Sequence, residues 1–378
     1  MKRRNLVLAG PALWAGSMLA GVHGLARAQS GTIRFGQSAS MSGDSGEHGQ
    51  AVRAGILAAF DAANKAEGAR GMRFELHTLD DAGSAERCAG NVKMLADAGV
   101  TGLLGLTSGA GAEAALPALE LQQIPLLGTA TGHMGIRTDN LGAAYHTRAG
   151  YDLEFMRMVA YLKDRNLSRV GLVYLEGTSK PNLAAMTVAL ATIGVTPAAA
   201  IALDRNNPSF SAVSAQLTAQ PLDAVLFMAG AAPTAAIIDH LMAARYRGMT
   251  FASSMAGQPL VNALAAKGQS AVMSVVVPRP NALGLSVVNR CQQDLAGTGS
   301  DMRVGVSVLE GYIAGRIAVE ASRAAARGGA VSRVRLKDAI ANLRTDLGGY
   351  KVQFAPGNPH GSKYVDLVTI DRYGKMVG

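Results

Sequence analysis

Two short apolar runs, residues 100–106 and 124–127, each stop in small polar residues: Ser108-Gly109 after the first and Ala130-Thr131 after the second. Both runs read as buried parallel strands joined by a helix over residues 111–123, a βαβ unit. Ser108 and Thr131 then stand at the carboxyl edge of a sheet, where helix N-termini leave backbone N–H groups unpaired. Hydroxyls and N–H groups facing outward at such an edge imply a ligand-binding site. The same hydroxyls would serve equally as caps of the helices that follow.

Signals for other chemistry are weak. The seven histidines show no H-x-x-x-H spacing and there is no C-x-x-C, so no metal site is expected. No G-x-S-x-G elbow or phosphate loop occurs, and Gly102, Gly105, Gly109 and Gly111 do not make a dinucleotide fingerprint. Asp80-Asp81 resembles a carboxylate pair, but a strand-end turn whose side chains cap the next helix is the preferred reading. No catalytic residue and no cofactor are expected, and the chain reads as a non-enzyme.

The elements that must position these loops form an α/β chain. A length of 378 residues with 49% hydrophobic content is enough for two domains with separate cores. The N-terminus carries an export signal: MKRR, an apolar run over residues 6–22, and Ala26-Arg27-Ala28 before Gln29, so cleavage is expected after Ala28. Arg3-Arg4-Asn5-Leu6-Val7 leaves twin-arginine export open beside the general pathway. No cysteine follows the signal, so the product is expected free in the periplasm. Losing Lys2, Arg3, Arg4 and Arg27 takes the formal charge from +9 to about +5, and the remaining bases are scattered, which argues against nucleic acid. Cys88 and Cys291 fall in separate helices and read as buried free thiols rather than a disulfide; Trp14 lies in the leader.

Strands at 32–37, 73–79 and 143–147, helices at 49–67 and 85–98, and the unit above make one doubly wound array. The pattern restarts with helix 151–165. It runs through strands 169–174, 198–203, 224–227, 250–252 and 271–277, with helices 182–193, 210–219 and 232–246. The chain continues through Pro278-Arg279-Pro280 into helices 286–295 and 304–326, then strands 350–354 and 364–370 around the turn Pro356-Gly357-Asn358-Pro359. Two arrays with returning segments imply interlaced domains and a hinge suited to closing over a small ligand.

In this order and spacing, the segments IRFGQSASMSGDSGEHGQAVRAGILAAFDAAN, LHTLDDAGSAERCAGNVKMLA, LLGLTSGAG, IPLLGTATG, YHTRAGYDLEFMRMVAYL, LEGYIAGRIAVEASRAA and LGGYKVQFAPGNPHGSKYVDLVTI are similar to a known family. The chain resembles the type I periplasmic substrate-binding proteins of ABC transporters, in the leucine/isoleucine/valine-binding group. The resemblance implies two Rossmann-like lobes with parallel sheets linked by three crossovers. Lobe 1 would be residues 29–149 and 278–347, and lobe 2 residues 150–277 and 348–378. It also implies a monomer that delivers its ligand to an ABC permease and ATPase in the inner membrane.

The resemblance places Ser108 and Ala130-Thr131 where relatives hold the ligand carboxylate, with backbone N–H groups such as that of Gly109 beside them. His48 falls where relatives often carry a large aromatic in the loop after the first strand; stacking, attracting an anion when protonated, and plain solvation all stay open. Tyr151 either lines the cleft or packs. The second lobe departs from the amino-acid pattern, with Gly177-Thr178-Ser179 and Ala231-Ala232 replacing aromatics and Met255 or its neighbours replacing the acid that pairs with a ligand ammonium. Glu176 is the neighbouring acid able to substitute. The implied ligand is a branched-chain amino acid or related small carboxylate, with two alternatives: an aromatic or aliphatic organic acid lacking an amino group, or a ligand-sensing role at a membrane receptor.

Overall fold

The computed structural model describes residues 31–43, 45–68, 71–137 and 142–378; the expected export leader, its cleavage point after Ala28 and Trp14 lie outside the described residues. The first array comprises β1 (Thr32–Ala39), α1 (Gly46–Glu67), β2 (Arg73–Asp80), α2 (Ala85–Asp97), β3 (Gly102–Leu104), α3 (Gly109–Gln122), β4 (Leu126–Leu127) and β5 (Ala144–Tyr145). Its strands are parallel, in the order β2-β1-β3-β4-β5. The carboxyl half of β1 is buried on both faces, as expected of a parallel strand covered by helices on both sides.

The second array comprises α4 (Tyr151–Asp164), β6 (Val170–Leu175), α5 (Lys180–Ala191), β7 (Ala199–Leu203), α6 (Phe210–Thr218), β8 (Ala224–Met228), α7 (Ala231–Ala243), β9 (Met249–Ala252), α8 (Gly257–Ala266) and β10 (Ala271–Val275). The chain then returns through α9 (Ser286–Ala296), α10 (Val306–Ala326), α11 (Arg333–Ala341) and the hairpin of β11 (Arg344–Asp346) and β12 (Lys351–Gln353). It ends in β13 (Asp366–Ile370) and β14 (Met376–Val377). The order β7-β6-β8-β9-β10 repeats the first sheet strand for strand, and β13 and β14 extend it antiparallel. The expected two-lobed α/β fold is what forms, with α8, α11, β11 and β14 as elements the sequence pattern did not reveal.

Returning helices complete the first lobe's core. At the α1–α10 crossing a Cβ on Gly311 would run into the Val52 carbonyl and one on Gly55 into the Val308 carbonyl, so the two backbones touch. The hairpin joins the first lobe too: Phe354 meets Tyr145 edge-on, with ring centroids 5.7 Å apart. Cys88 and Cys291 are free and buried, as expected.

The Asp80-Asp81 pair is structural, but it does not cap α2. Ser84 does so, its hydroxyl accepting from the Arg87 N–H at 3.2 Å. The two aspartates instead tie the loop after β1: Asp80 accepts from the Met41 N–H at 2.9 Å, and Asp81 from the Ser38 and Ser40 hydroxyls at 2.9 and 3.1 Å.

Three passages link the sheets, at residues 146–150, 276–285 and 362–365, and Tyr350 stands where they meet. Its buried hydroxyl lies 2.8 Å from the Thr147 carbonyl and 3.0 Å from the Val276 carbonyl. The Tyr364 ring, in the third passage, packs 5.8 Å away, so one side chain touches all three passages.

Candidate functional site

The loops carrying Ser108 and Thr131 begin abruptly because glycine ends each strand. Gly105 (φ 65°) and Gly128 (φ 60°) take up left-handed backbone immediately after β3 and β4, which stops both ladders earlier than the apolar runs suggest. Side chains would not fit there either, since a Cβ on Gly105 would press on Ile56 and one on Gly128 on Ala314. Ser108 then caps α3, accepting from the Gly111 N–H at 3.0 Å and keeping its own hydroxyl proton to donate. Beside β3, the Ser40 N–H bonds to Thr107 Oγ1 at 3.2 Å, closing the point where strand order reverses in the first lobe.

Several predicted residues are drawn into one contiguous group. Thr131 Oγ1 accepts from the His133 N–H at 3.3 Å and lies 3.4 Å from the Tyr151 hydroxyl. Tyr151 is buried, its ring stacked on Phe155 at 5.9 Å, and burial pushes its phenol above the usual range. Gly109 sits against the His133 ring, where a Cβ would collide. The Ala130 carbonyl lies 3.3 Å from His48 Nε2, and His48 Nδ1 is 2.9 Å from Ser307 Oγ. Met255, half-buried, packs on the apolar cluster built around Tyr151 and Phe155.

Two placements differ from the sequence reading. His48 is in the first turn of α1 rather than in a loop, and both its ring nitrogens are engaged. Because a carbonyl only accepts, Nε2 carries the proton, and burial lowers the ring's pKa despite the nearby Glu310. A neutral, hydrogen-bonded ring supplies no positive charge for an anion. Glu176 is exposed at the end of β6, where its N–H bonds to the Leu203 carbonyl and its own carbonyl accepts from Arg205 at 2.6 Å. Among the described residues, no hydrogen bond joins the Glu176 carboxylate to the group around Thr131.

A buried ionic network beside this group escaped the sequence reading. Arg148, in the first passage, bonds Glu154 Oε1 at 2.6 Å, Glu310 Oε1 at 3.2 Å and the Ser254 hydroxyl at 2.6 Å. Glu154 also accepts from the Ser254 N–H at 2.9 Å and from the Ser274 hydroxyl. Burial works against the Arg148 charge, but Glu310 and Glu154 outweigh it and hold its pKa above the usual arginine value. Arg137 donates to the carbonyls of Arg148 and Thr131 at 3.2 and 3.0 Å, and burial plus the Arg148 charge bring it down to about 9. The available signal was Arg148, Glu154 and Glu310 standing among mostly small or apolar residues in RAGYDLEF and LEGY.

A profile of the periplasmic binding protein family matches residues 32–375. The chain belongs to that family. Among curated proteins, none matches its sequence. A possible leucine/isoleucine/valine-binding protein from Rhodopirellula baltica SH 1 is similar in structure at TM-score 0.84 and 24% identity, covering 93% of this chain and 97% of that one. Two R. palustris ABC transporter solute-binding proteins share the fold at lower identity, each covering 92% of this chain and 95% of its own. One is a complex with 4-hydroxybenzoate at TM-score 0.75 and 16% identity, the other with benzoate at TM-score 0.79 and 15% identity. Periplasmic binding proteins capture solutes rather than transform them, which agrees with the expectation of a non-enzymatic, extracytoplasmic receptor.

Proposed function

We propose that this periplasmic binding protein is the monomeric capture component of an ABC importer, taking a small organic acid without an α-amino group between its lobes. Ser108, Thr131 and nearby N–H groups such as that of Gly109 bind the carboxylate, and Tyr151 and Met255 line the space beyond. The observation that carries the choice of ligand is the state of the acids bonded into the site. Glu154 and Glu310 both bond Arg148, and Glu113 accepts from His133 at 2.7 Å, so each of these acids is already engaged by a protein donor. A ligand ammonium would have to displace one of those donors, and taking Arg148 from its buried acids would cost several kcal/mol. The benzoate and 4-hydroxybenzoate complexes of the R. palustris proteins support the same reading.

A branched-chain amino acid is the second reading, favoured by the similarity to the possible leucine/isoleucine/valine-binding protein. A thermal-shift panel separates the two: leucine, isoleucine and valine against 4-methyl-2-oxopentanoate, benzoate and 4-hydroxybenzoate. A true ligand at 100 times its Kd adds about 2.7 kcal/mol of stability. The organic acids should shift the melt and leucine should not; a leucine response without an acid response rejects the proposal. Replacing Ser108 and Thr131 together by alanine should weaken binding by roughly 2–4 kcal/mol, about 1–2 per lost charge-assisted bond.

A further inference from the structure

The loop that carries Ala130 and Thr131 is fastened to the opposite lobe. His133 is buried, with Nε2 2.7 Å from Glu113 Oε2 on α3 and Nδ1 2.9 Å from Asn182 Nδ2 in the first turn of α5. Asn182 is buried as well, and its Oδ1 accepts from the Met134 N–H at 2.8 Å. A backbone N–H can only donate, so this bond sets the amide: its oxygen faces Met134 and its NH2 group faces the ring. Nδ1 is therefore the acceptor, and the neutral ring carries its proton on Nε2, pointed at Glu113. The loop and α3 belong to the first lobe, and α5 to the second.

We infer that Asn182 and His133 form a latch that holds the lobes together, acting as positioning residues for capture. They fix the loop whose Thr131 faces the solute, and they join two lobes that must part to admit it. The latch rests on the lobe-closure reading above.

Asn182→Ala removes both bonds of the link, since the Met134 N–H and His133 Nδ1 then lose their partner on α5. His133→Ala removes the ring and breaks the same link from the first lobe.

Small-angle scattering of the ligand-free chain at neutral pH tests the latch. The wild type should be compact, and N182A and H133A should each be expanded, with the double variant no more expanded than either single one. A general loss of packing would instead add across the two sites. Titration with 4-methyl-2-oxopentanoate and benzoate should show about tenfold weaker binding by N182A. Identical scattering of wild type and N182A, or a double variant more expanded than either single one, overturns the latch. If neither acid binds the wild type, the ligand proposal falls while the scattering still decides the latch; if N182A does not fold, H133A carries the test.

Discussion

Replacing Arg148 with methionine removes the single base shared by two buried acids from opposite lobes. Glu154 is fully buried and Glu310 is 8% exposed, so neither can regain water without the hinge opening. Removing one partner of a buried pair costs about 3–5 kcal/mol, because the remaining charge is stranded. Two acids are stranded here, but Glu154 keeps its bonds to Ser254 and Ser274. The cost should therefore stay within that range, toward its upper end. Against a typical total of about 5–15 kcal/mol, a third or more of the stability would go. Urea denaturation at neutral pH, followed by far-ultraviolet circular dichroism, measures it. A triple variant, Arg148→Met with Glu154→Gln and Glu310→Gln, removes the stranded charges and should recover at least half of the loss. A loss below about 1 kcal/mol in the single variant, or a triple variant no more stable than the single, would refute a charge-compensated bridge.

Three further outcomes follow from the geometry. Gly311→Ala gains about 1 kcal/mol of helix propensity but drives a methyl into the Val52 carbonyl, an obstacle that cannot rotate away; a net loss of about 2 kcal/mol should appear as a lower Tm. Asp80, held chiefly by the Ser42 hydroxyl, and Asp223, held chiefly by Arg169, have pKa values lowered from 3.8 to about 2 in the folded chain. Their stabilisation is complete above about pH 4 and is lost as pH falls toward 2, so the acid limb of a stability–pH curve should be shallower in D80N/D223N. Burial pushes the thiols of Cys88 and Cys291 up to about 11 and about 12, so a thiol reagent should titrate neither at neutral pH until the chain unfolds; rapid native labelling would contradict their burial.

What could be read from sequence tracked how local the information is. The alternation of apolar strands and amphipathic helices placed β1 to β10 within a few residues, because parallel strands buried on both faces show as apolar runs such as Ala224–Met228. Helix α11 was invisible because only Leu336 and Ile340 of RVRLKDAIA are buried, too few to show a period. Helix α8 was hidden by Gly257 and Pro259 in its first turn, which read as breakers but are tolerated there. The loops at Ser108 and Thr131 were legible as strand ends, although the glycines that stop the strands looked like ordinary packing residues. The Arg148 network was not legible, since its partners lie 6 and 162 residues away and nothing in either segment names the other. Asn182 was hidden for the same reason, 49 residues from His133.

The placement of Tyr350 determines how many ways the molecule can bend. Three separate linkers would let one lobe twist, slide or tilt against the other. Gathering Thr147, Val276 and Tyr364 around one side chain couples the linkers, so that none can swing without the others. Motion between the lobes is then reduced to turning about a single pin. In a solute receptor this coupling makes the three linkers act as one joint rather than as three independent tethers.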